Sequence, residues 1–276
     1  MSQNGGGWEG KPRRGFARKQ RGASSSARAS GLLLVSESQL AGFDRHAPCT
    51  AARDGLASGR QRRDAMRIGI IGAGMVGGAL GKRWASLGHQ VLFGVRDPAA
   101  PKVKQLLADA GPNACAGSVA EAAAFGPVVV LAVPWSAARE AIQAAGDLTG
   151  KILIDPTSPI KRDLSGLDVP EGSSAAEQIA AWAPGARVVK AFNTVSHTAM
   201  TDPRFPEGNA SVFYAGDDDE AKRVVAELIS EIGLTPEECG PLANARLLEV
   251  VGLLRMYLAA HAPASVAGVA FRVLRR

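Results

Sequence analysis

Three glycines carry the most specific chemical signal in this chain. They lie in the run Arg67-Ile-Gly-Ile-Ile-Gly72-Ala-Gly74-Met-Val-Gly77-Gly-Ala-Leu-Gly81. Gly72, Gly74 and Gly77 keep the G-x-G-x-x-G spacing. In that pattern the first glycine makes a tight turn, the second lets the backbone approach a pyrophosphate, and the third lets a helix pack close to a strand. The helix N-terminus then offers unpaired N–H groups and the positive end of its dipole to the phosphates. Positioning this cradle takes a strand before it and a helix after it. Ile68, Ile70 and Ile71 are β-branched and suit a parallel strand covered on both faces. Leu80, Trp84 and Leu87 place apolar residues on one helical face. The pattern predicts a strand, a glycine turn and a helix that together bind a dinucleotide.

Gly88 ends that helix, and the second strand, Gln90-Val-Leu-Phe93, runs into Gly94-Val95-Arg96-Asp97-Pro98. About 20 residues past the first glycine, NAD-binding chains place an acid on the ribose 2′-hydroxyl, whereas NADP-binding chains place an arginine near the 2′-phosphate. Arg96 therefore points to NADP. Asp97 is the rival, although an Asp-Pro turn is an ordinary role for it. Lys102 and Lys104 are candidate helpers or plain solvated charges.

Further strands are predicted at 113–116, 127–133, 151–154, 187–192 and 211–216. Helices are predicted at 103–110, 119–124, 136–145, 173–182, from Asp217 onward, and at 242–261. Three polar turns end the central strands at the edge where open α/β sheets bind ligands. Pro134-Trp135 is the first, and Trp135 either packs the next helix or borders the nicotinamide. Asp155-Pro-Thr-Ser-Pro159 is the second, and Asp155 either touches a second substrate or bonds its own backbone. Asn193-Thr-Val-Ser-His197 is the third, and His197 reads more readily as structural than catalytic. Asp217-Asp218-Asp219-Glu220 reads as helix capping rather than a metal site.

Residues 1–65 carry 12 Lys+Arg and 5 Asp+Glu, a net of +7 against +6 for the whole chain, which leaves −1 for 66–276. The basic character belongs to this tail, so the body gives no argument for nucleic acid. The tail lacks a periodic apolar pattern. It is expected to be a disordered basic extension or residues upstream of a mis-assigned start at Met66, with an organelle transit peptide as the third reading. Its longest apolar run, Leu32-Leu-Leu-Val35, is too short to span a membrane. The three cysteines form no C-x-x-C, so neither a disulfide framework nor zinc is expected, and a cytoplasmic setting fits.

Beyond the glycine loop, several segments resemble the NADPH-dependent coenzyme F-420 (8-hydroxy-5-deazaflavin) reductases. They are Met66-Arg-Ile-Gly-Ile-Ile-Gly-Ala-Gly-Met-Val-Gly77, Phe93-Gly-Val-Arg-Asp-Pro98, Val130-Leu-Ala-Val-Pro-Trp135, Gly216-Asp-Asp-Asp-Glu-Ala-Lys222 and Gly240-Pro-Leu-Ala-Asn-Ala-Arg-Leu-Leu-Glu249. The NADP-binding half is also like that of pyrroline-5-carboxylate reductases, which follow it with a long helical dimerisation domain. The implied fold is α/β: a Rossmann, doubly wound, mainly parallel sheet over 66–192, with a small helical (α+β) C-terminal domain over 193–276 closing an acceptor cleft.

The implied activity is hydride transfer between NADP(H) and a deazaflavin or similar flavin-like acceptor. Carried over by motif, Gly72, Ala73, Gly74, Met75 and Val76 line the pyrophosphate turn. Val95 and Arg96 meet the 2′-phosphate, and Val133, Pro134 and Trp135 lie on the nicotinamide side. Asn193, Val195 and Leu242 border the acceptor. The archaeal enzymes often carry a hydroxyl residue where Val95 stands, a polar residue at Met75 and a histidine at Asn193. Hydride transfer between two ring carbons needs proximity and orientation more than a proton relay, so no essential catalytic residue and no metal are expected. The expected partners are a small-molecule acceptor and at most a second copy in a homodimer. An NADP-binding redox sensor without turnover is the alternative from another class.

Overall fold

The first strand, β1 (Arg67–Ile71), is buried along four of its five residues, as its isoleucines require. It feeds α1 (Met75–Ser86), whose apolar face, Ala79, Leu80 and Trp84, seats on the sheet. A β2 strand (Gln90–Gly94), α2 (Pro101–Ala110), β3 (Ala114–Gly117), α3 (Val119–Phe125) and β4 (Val128–Leu131) follow. After a short 3₁₀ turn at Trp135–Ala137 come α4 (Ala138–Ala145), β5 (Ile152–Asp155), α5 (Ala175–Trp182) and β6 (Arg187–Lys190). The C-terminal part adds α6 (His197–Thr201), β7 (Ser211–Gly216), α7 (Asp219–Glu231), β8 (Thr235–Glu238) and α8 (Ala245–Ala260). The computed structural model describes residues 65–263 and 268–276, all within one compact unit. The expected basic extension, apart from Ala65, lies outside the described residues.

The eight strands form one sheet in the order β3-β2-β1-β4-β5-β6-β7-β8. β1 to β6 are parallel, β7 runs antiparallel to β6, and β8 pairs parallel with β7. Helices cover both faces. One core cluster joins α1, α6 and α7 to the sheet, and a second joins α4 and α5 to it. This is the expected doubly wound fold. Its C-terminal region extends the same sheet across residue 193 and adds α7 and α8 to it. Strand order reverses between β1 and β4, so the crevice for a ligand falls at the carboxyl ends of those two strands.

Local devices fix the starts of α3 and α7. Ser118 and Glu121 form a complete capping box on α3. The Asp218 carboxylate accepts the Ala221 N–H at 2.7 Å, and the Asp217 carboxylate accepts the Leu242 N–H at 2.8 Å, so these acids tie down backbone groups. β8 has no counterpart in the sequence reading. Thr235-Pro-Glu-Glu238 shows no apolar alternation, and its proline is tolerated because the strand lies at the sheet edge.

Candidate functional site

A cleft of about 520 Å³ opens at the reversal point. Its walls are the ends of β1 (Ile71 to Gly74), β2 (Gly94 to Asp97) and β4 (Ala132 to Pro134), with Ala137 and Ala141 from the segment after β4 on the far side. Gly72 sits at φ +105, and a Cβ there would lie 2.4 Å from the Ala132 carbonyl oxygen. At Gly77 a Cβ would come within 2.3 Å of the Gly72 carbonyl oxygen. Gly74 differs: a Cβ there would meet no protein atom within 4 Å. Gly74 is also the N-cap of α1, where no side chain caps the helix and no acid stands in the first turn. The helix therefore presents uncapped N–H groups beside an open approach to the backbone. That arrangement fits the pyrophosphate of a dinucleotide.

The end of β2 supplies the charge that discriminates between cofactors. Gly94 ends the strand, and the Val95 N–H is held by the Gly117 carbonyl at 2.9 Å, which sets the following turn over the cleft. Arg96 is exposed, lines the cleft and pairs with no carboxylate among the described residues. Asp97 also lines it, but its Oδ1 accepts the Ala99 N–H at 2.9 Å in a local turn. The ordinary turn role thus accounts for Asp97, and Arg96 is left on the cleft wall. Lys102, in the first turn of α2, joins it on the cleft wall, whereas Lys104 does not. An exposed guanidinium and an ammonium at this edge suit a 2′-phosphate.

Of the residues named from the sequence, Gly72, Ala73, Gly74, Val95, Arg96, Val133 and Pro134 come together in the cleft. Met75 opens α1 with a side chain 71% exposed, and Val76 packs against the core, so neither side chain lines the cleft. Trp135 turns to packing. Its ring stacks on Trp182 with centroids 5.3 Å apart, and its Nε1 donates to the Asp168 carbonyl at 3.0 Å. Asn193, Val195 and Leu242 are buried. Asn193 Nδ2 donates to the Leu248 carbonyl at 2.8 Å, while Val195 and Leu242 pack into the two core clusters. His197 starts α6 and lies outside the cleft lining.

Sequence reasoning missed an ion network at the carboxyl ends of β5 and β6. Lys190 Nζ lies 2.9 Å from Asp155 Oδ2 and 2.9 Å from Glu249 Oε1, and it donates to the Thr157 carbonyl at 2.7 Å. All three ionisable side chains are fully buried. Asp155 also accepts the Thr157 N–H at 2.8 Å, the local bond expected of a turn carboxylate. Glu249 reaches from α8 to the first N–H groups of α5, accepting from Ala175 at 3.1 Å and Ala176 at 3.3 Å. Burial pushes the Glu249 carboxyl above its ordinary range, against the pull of Lys190 and the Ala175 N–H. The network binds α8 to the edge of the sheet. Two residues past Lys190, Phe192 takes φ +68, a costly conformation for a bulky residue, and its ring is pinned edge-on to Trp84 at 5.9 Å. A lysine inside the apolar run Val188-Val-Lys190-Ala-Phe192 was the only signal available in the sequence.

Fold and cleft define the class: a Rossmann oxidoreductase built to bind NADP(H). Residues 67–159 match the family model described as NADP oxidoreductase coenzyme F420-dependent. The F420-dependent NADP reductase of Methanothermobacter thermautotrophicus is 35% identical over 201 residues, a match covering 67% of this chain and 86% of that one. Metalloreductase STEAP3 of Rattus norvegicus is 32% identical over 193 residues, and the match spans 69% of this chain but only 37% of that longer protein. The crystal structure of a protein from Arthrobacter sp. FB24 superposes with a TM-score of 0.69 at 33% identity, covering 76% of this chain and all of that one. The chain belongs to the F420-dependent NADP oxidoreductase family.

Proposed function

We propose that this protein transfers a hydride between NADP(H) and a deazaflavin or similar flavin-like ring held at the carboxyl edge of the sheet. The observation that carries the reading is the cleft itself, which combines an uncapped helix N-terminus, an open Gly74 and an exposed Arg96, without a carboxylate partner among the described residues, at the reversal of strand order. When bound, NADPH supplies the hydride. The protein's own contribution is to place and orient. Gly72, Ala73 and Gly74 hold the diphosphate with backbone groups, and Arg96 and Lys102 neutralise the 2′-phosphate. Val133 and Pro134 form an apolar wall on the nicotinamide side. Among the described residues lining the cleft there is no histidine or cysteine, and its only acids are Asp97 and Glu140. That composition agrees with transfer between two carbon centres, which asks for proximity rather than a proton relay.

On this reading Asn193, Val195 and Leu242 act from behind the acceptor and hold the wall against which it lies. The ion network of Asp155, Lys190 and Glu249 fixes that wall to the sheet. Two strands, β7 and β8, lie beyond residue 193, which favours this assignment over a pyrroline-5-carboxylate reductase-like enzyme with a long helical second domain.

The test mixes purified protein with NADPH and one of three acceptors and follows loss of the reduced nicotinamide absorbance. The acceptors are the deazaflavin, a flavin and ferric iron, the last because one relative is named a metalloreductase. Fastest oxidation with the deazaflavin supports the proposal, and faster oxidation with iron redirects it. Tight NADPH binding without turnover of any acceptor would make the protein a redox sensor instead.

A further inference from the structure

Several arginines of this fold are exposed and nevertheless meet an acid. Arg204 pairs with Asp202, Arg223 with Glu227, Arg246 with Glu177 and Arg275 with Glu237. Arg255, on α8, is the reverse case. Its side chain is half-buried, its Nε is buried without a hydrogen-bond partner, and no ion pair joins it to any described residue. Burial pushes the guanidinium below its ordinary range, yet an arginine in a protein keeps its charge. A cation taken partly out of water without a counterion is costly, so a bound anion would relieve it.

The chain itself does not supply that anion. On the elements packed against α8, Glu249 is engaged with Lys190, Glu177 with Arg246, and the Asp217 carboxylate with the Leu242 N–H. β7 carries no acid.

The position of Arg255 indicates which ligand brings it. Leu248, Gly252 and Arg255 are spaced four and three apart and share one face of α8. The first two meet Asn193: its Nδ2 donates to the Leu248 carbonyl at 2.8 Å, and a Cβ on Gly252 would lie 3.0 Å from that nitrogen. Arg255 follows Gly252 by about 4.5 Å along the axis, so it stands beside the turn that ends β6. That turn holds two more polar atoms without partners among the described residues, Asn193 Oδ1 and Thr194 Oγ1, on side chains 3% and 1% exposed. Arg96 and Lys102 follow β2, which β1, β4 and β5 separate from β6. Four strand spacings are roughly 19 Å. Arg255 is therefore on the far side of the sheet edge from the groups assigned to the 2′-phosphate, and it does not line the cofactor cleft.

We propose that Arg255 is a specificity residue of the acceptor site, pairing with a phosphate on the side chain of the flavin-like acceptor and selecting phosphorylated acceptors over the bare ring system. The inference rests on the reading that the acceptor lies at the carboxyl edge beside Asn193. A guanidinium fork suits phosphate oxygens, which it meets with two parallel hydrogen bonds.

The test compares riboflavin with riboflavin 5′-phosphate, and the matching pair of 5-deazaflavins, binding to the full chain saturated with NADP+, by quenching of ring fluorescence. The phosphorylated member of a pair should bind about 10- to 100-fold more tightly, and added salt should narrow the difference. Arg255→Met should bring it to the affinity of its unphosphorylated counterpart, while NADPH affinity stays level and the apo melting temperature stays level or rises, because a desolvated charge is gone. Arg255→Lys should restore part of the preference. Inorganic phosphate should weaken binding of the phosphorylated rings to wild type and leave Arg255→Met unaffected. Equal binding of both members, a preference that survives Arg255→Met, or competition by phosphate that is the same in both proteins would overturn the proposal. Turnover with NADPH separates it from the reading beneath it. An Arg255-dependent preference without turnover would remove hydride transfer and leave the anion site standing. Turnover without the preference would remove the anion site alone, and failure of all four rings to bind would remove both.

Discussion

Gly74 and Gly77 stand three residues apart in one loop, and the structure predicts opposite consequences for the same substitution at each. Gly74 has φ −81 and ψ −164, which alanine can adopt, and a Cβ there touches nothing in the protein. Alanine is a somewhat poorer N-cap than glycine, but the stiffer unfolded chain returns about 0.4–1 kcal/mol. Gly74→Ala should therefore change stability by no more than about 0.5 kcal/mol. The added methyl instead fills the approach a diphosphate needs. A clash of about 1–3 kcal/mol weakens NADPH binding roughly 5- to 150-fold. At Gly77 the Cβ would lie 2.3 Å from the Gly72 carbonyl oxygen and 3.0 Å from Ala132 Cβ. The backbone must shift, at an overpacking cost of about 1–3 kcal/mol, of which better helix propensity returns roughly 0.5–1 kcal/mol. Gly77→Ala should melt several degrees below wild type. The assay is a thermal melt with and without NADPH. Ligand at a hundred times Kd stabilises by about 2.7 kcal/mol, and a hundredfold weaker variant at the same concentration keeps only about 0.4 kcal/mol. Gly74→Ala should thus retain the apo melting temperature and lose most of the NADPH-induced rise. A full NADPH-induced rise in Gly74→Ala would refute the placement of the diphosphate.

The remaining predictions concern charge. Arg96→Ala removes a charge-assisted contact worth roughly 1.5–3 kcal/mol, so NADPH affinity measured by titration should fall about 10- to 150-fold while NADH affinity stays level. Lys102→Ala should show the same selectivity with a smaller loss, and equal losses for both cofactors would remove either residue from the 2′-phosphate. Lys190→Met leaves two buried carboxylates without their cation and should cost about 3–5 kcal/mol in denaturant unfolding. A loss below 1 kcal/mol would show that the network contributes little. Glu249 is raised above its ordinary carboxyl value of 4.5 by burial, so the folded state holds its proton more tightly than the unfolded state does. Its stabilising contribution is therefore complete below that value and is lost as pH rises through the folded-state value. Glu249→Gln should flatten the fall of stability that begins as pH rises above 4.5, and an unchanged pH profile would contradict the assignment.

Much of the fold could be read from the sequence because its signals are local. Alternation of strand and helix periods placed β1 to β7. Asp218 before α7 announced its helix through capping chemistry that spans only a few residues. The cradle at Gly72 and Gly74 and the position of Arg96 were legible for the same reason. What escaped depends on distant partners. β8 is held by pairing with β7 and by the ion pairs Glu237–Arg275 and Glu238–Lys222, none of which leaves a periodic trace. The Asp155–Lys190–Glu249 network draws one residue from each of two strands and a helix, and only the fold brings them within 3 Å. Trp135 could not be assigned between ligand and packing until Trp182 was seen to stack on it. The burial of Asn193, Val195 and Leu242 likewise depends on where α8 and α5 close, which no single segment encodes.

The most direct test of hydride transfer follows the hydrogen itself. NADPH carrying deuterium at the nicotinamide C4 position, on one face and then the other, is incubated with the protein and the oxidised deazaflavin in ordinary water. The reduced deazaflavin is then examined by mass spectrometry. The account predicts that label from one face is transferred and retained at the acceptor ring carbon, because the hydride passes from carbon to carbon and hydrogen bound to carbon does not exchange with water. Reduced acceptor without deuterium from either face would contradict direct transfer between two bound rings.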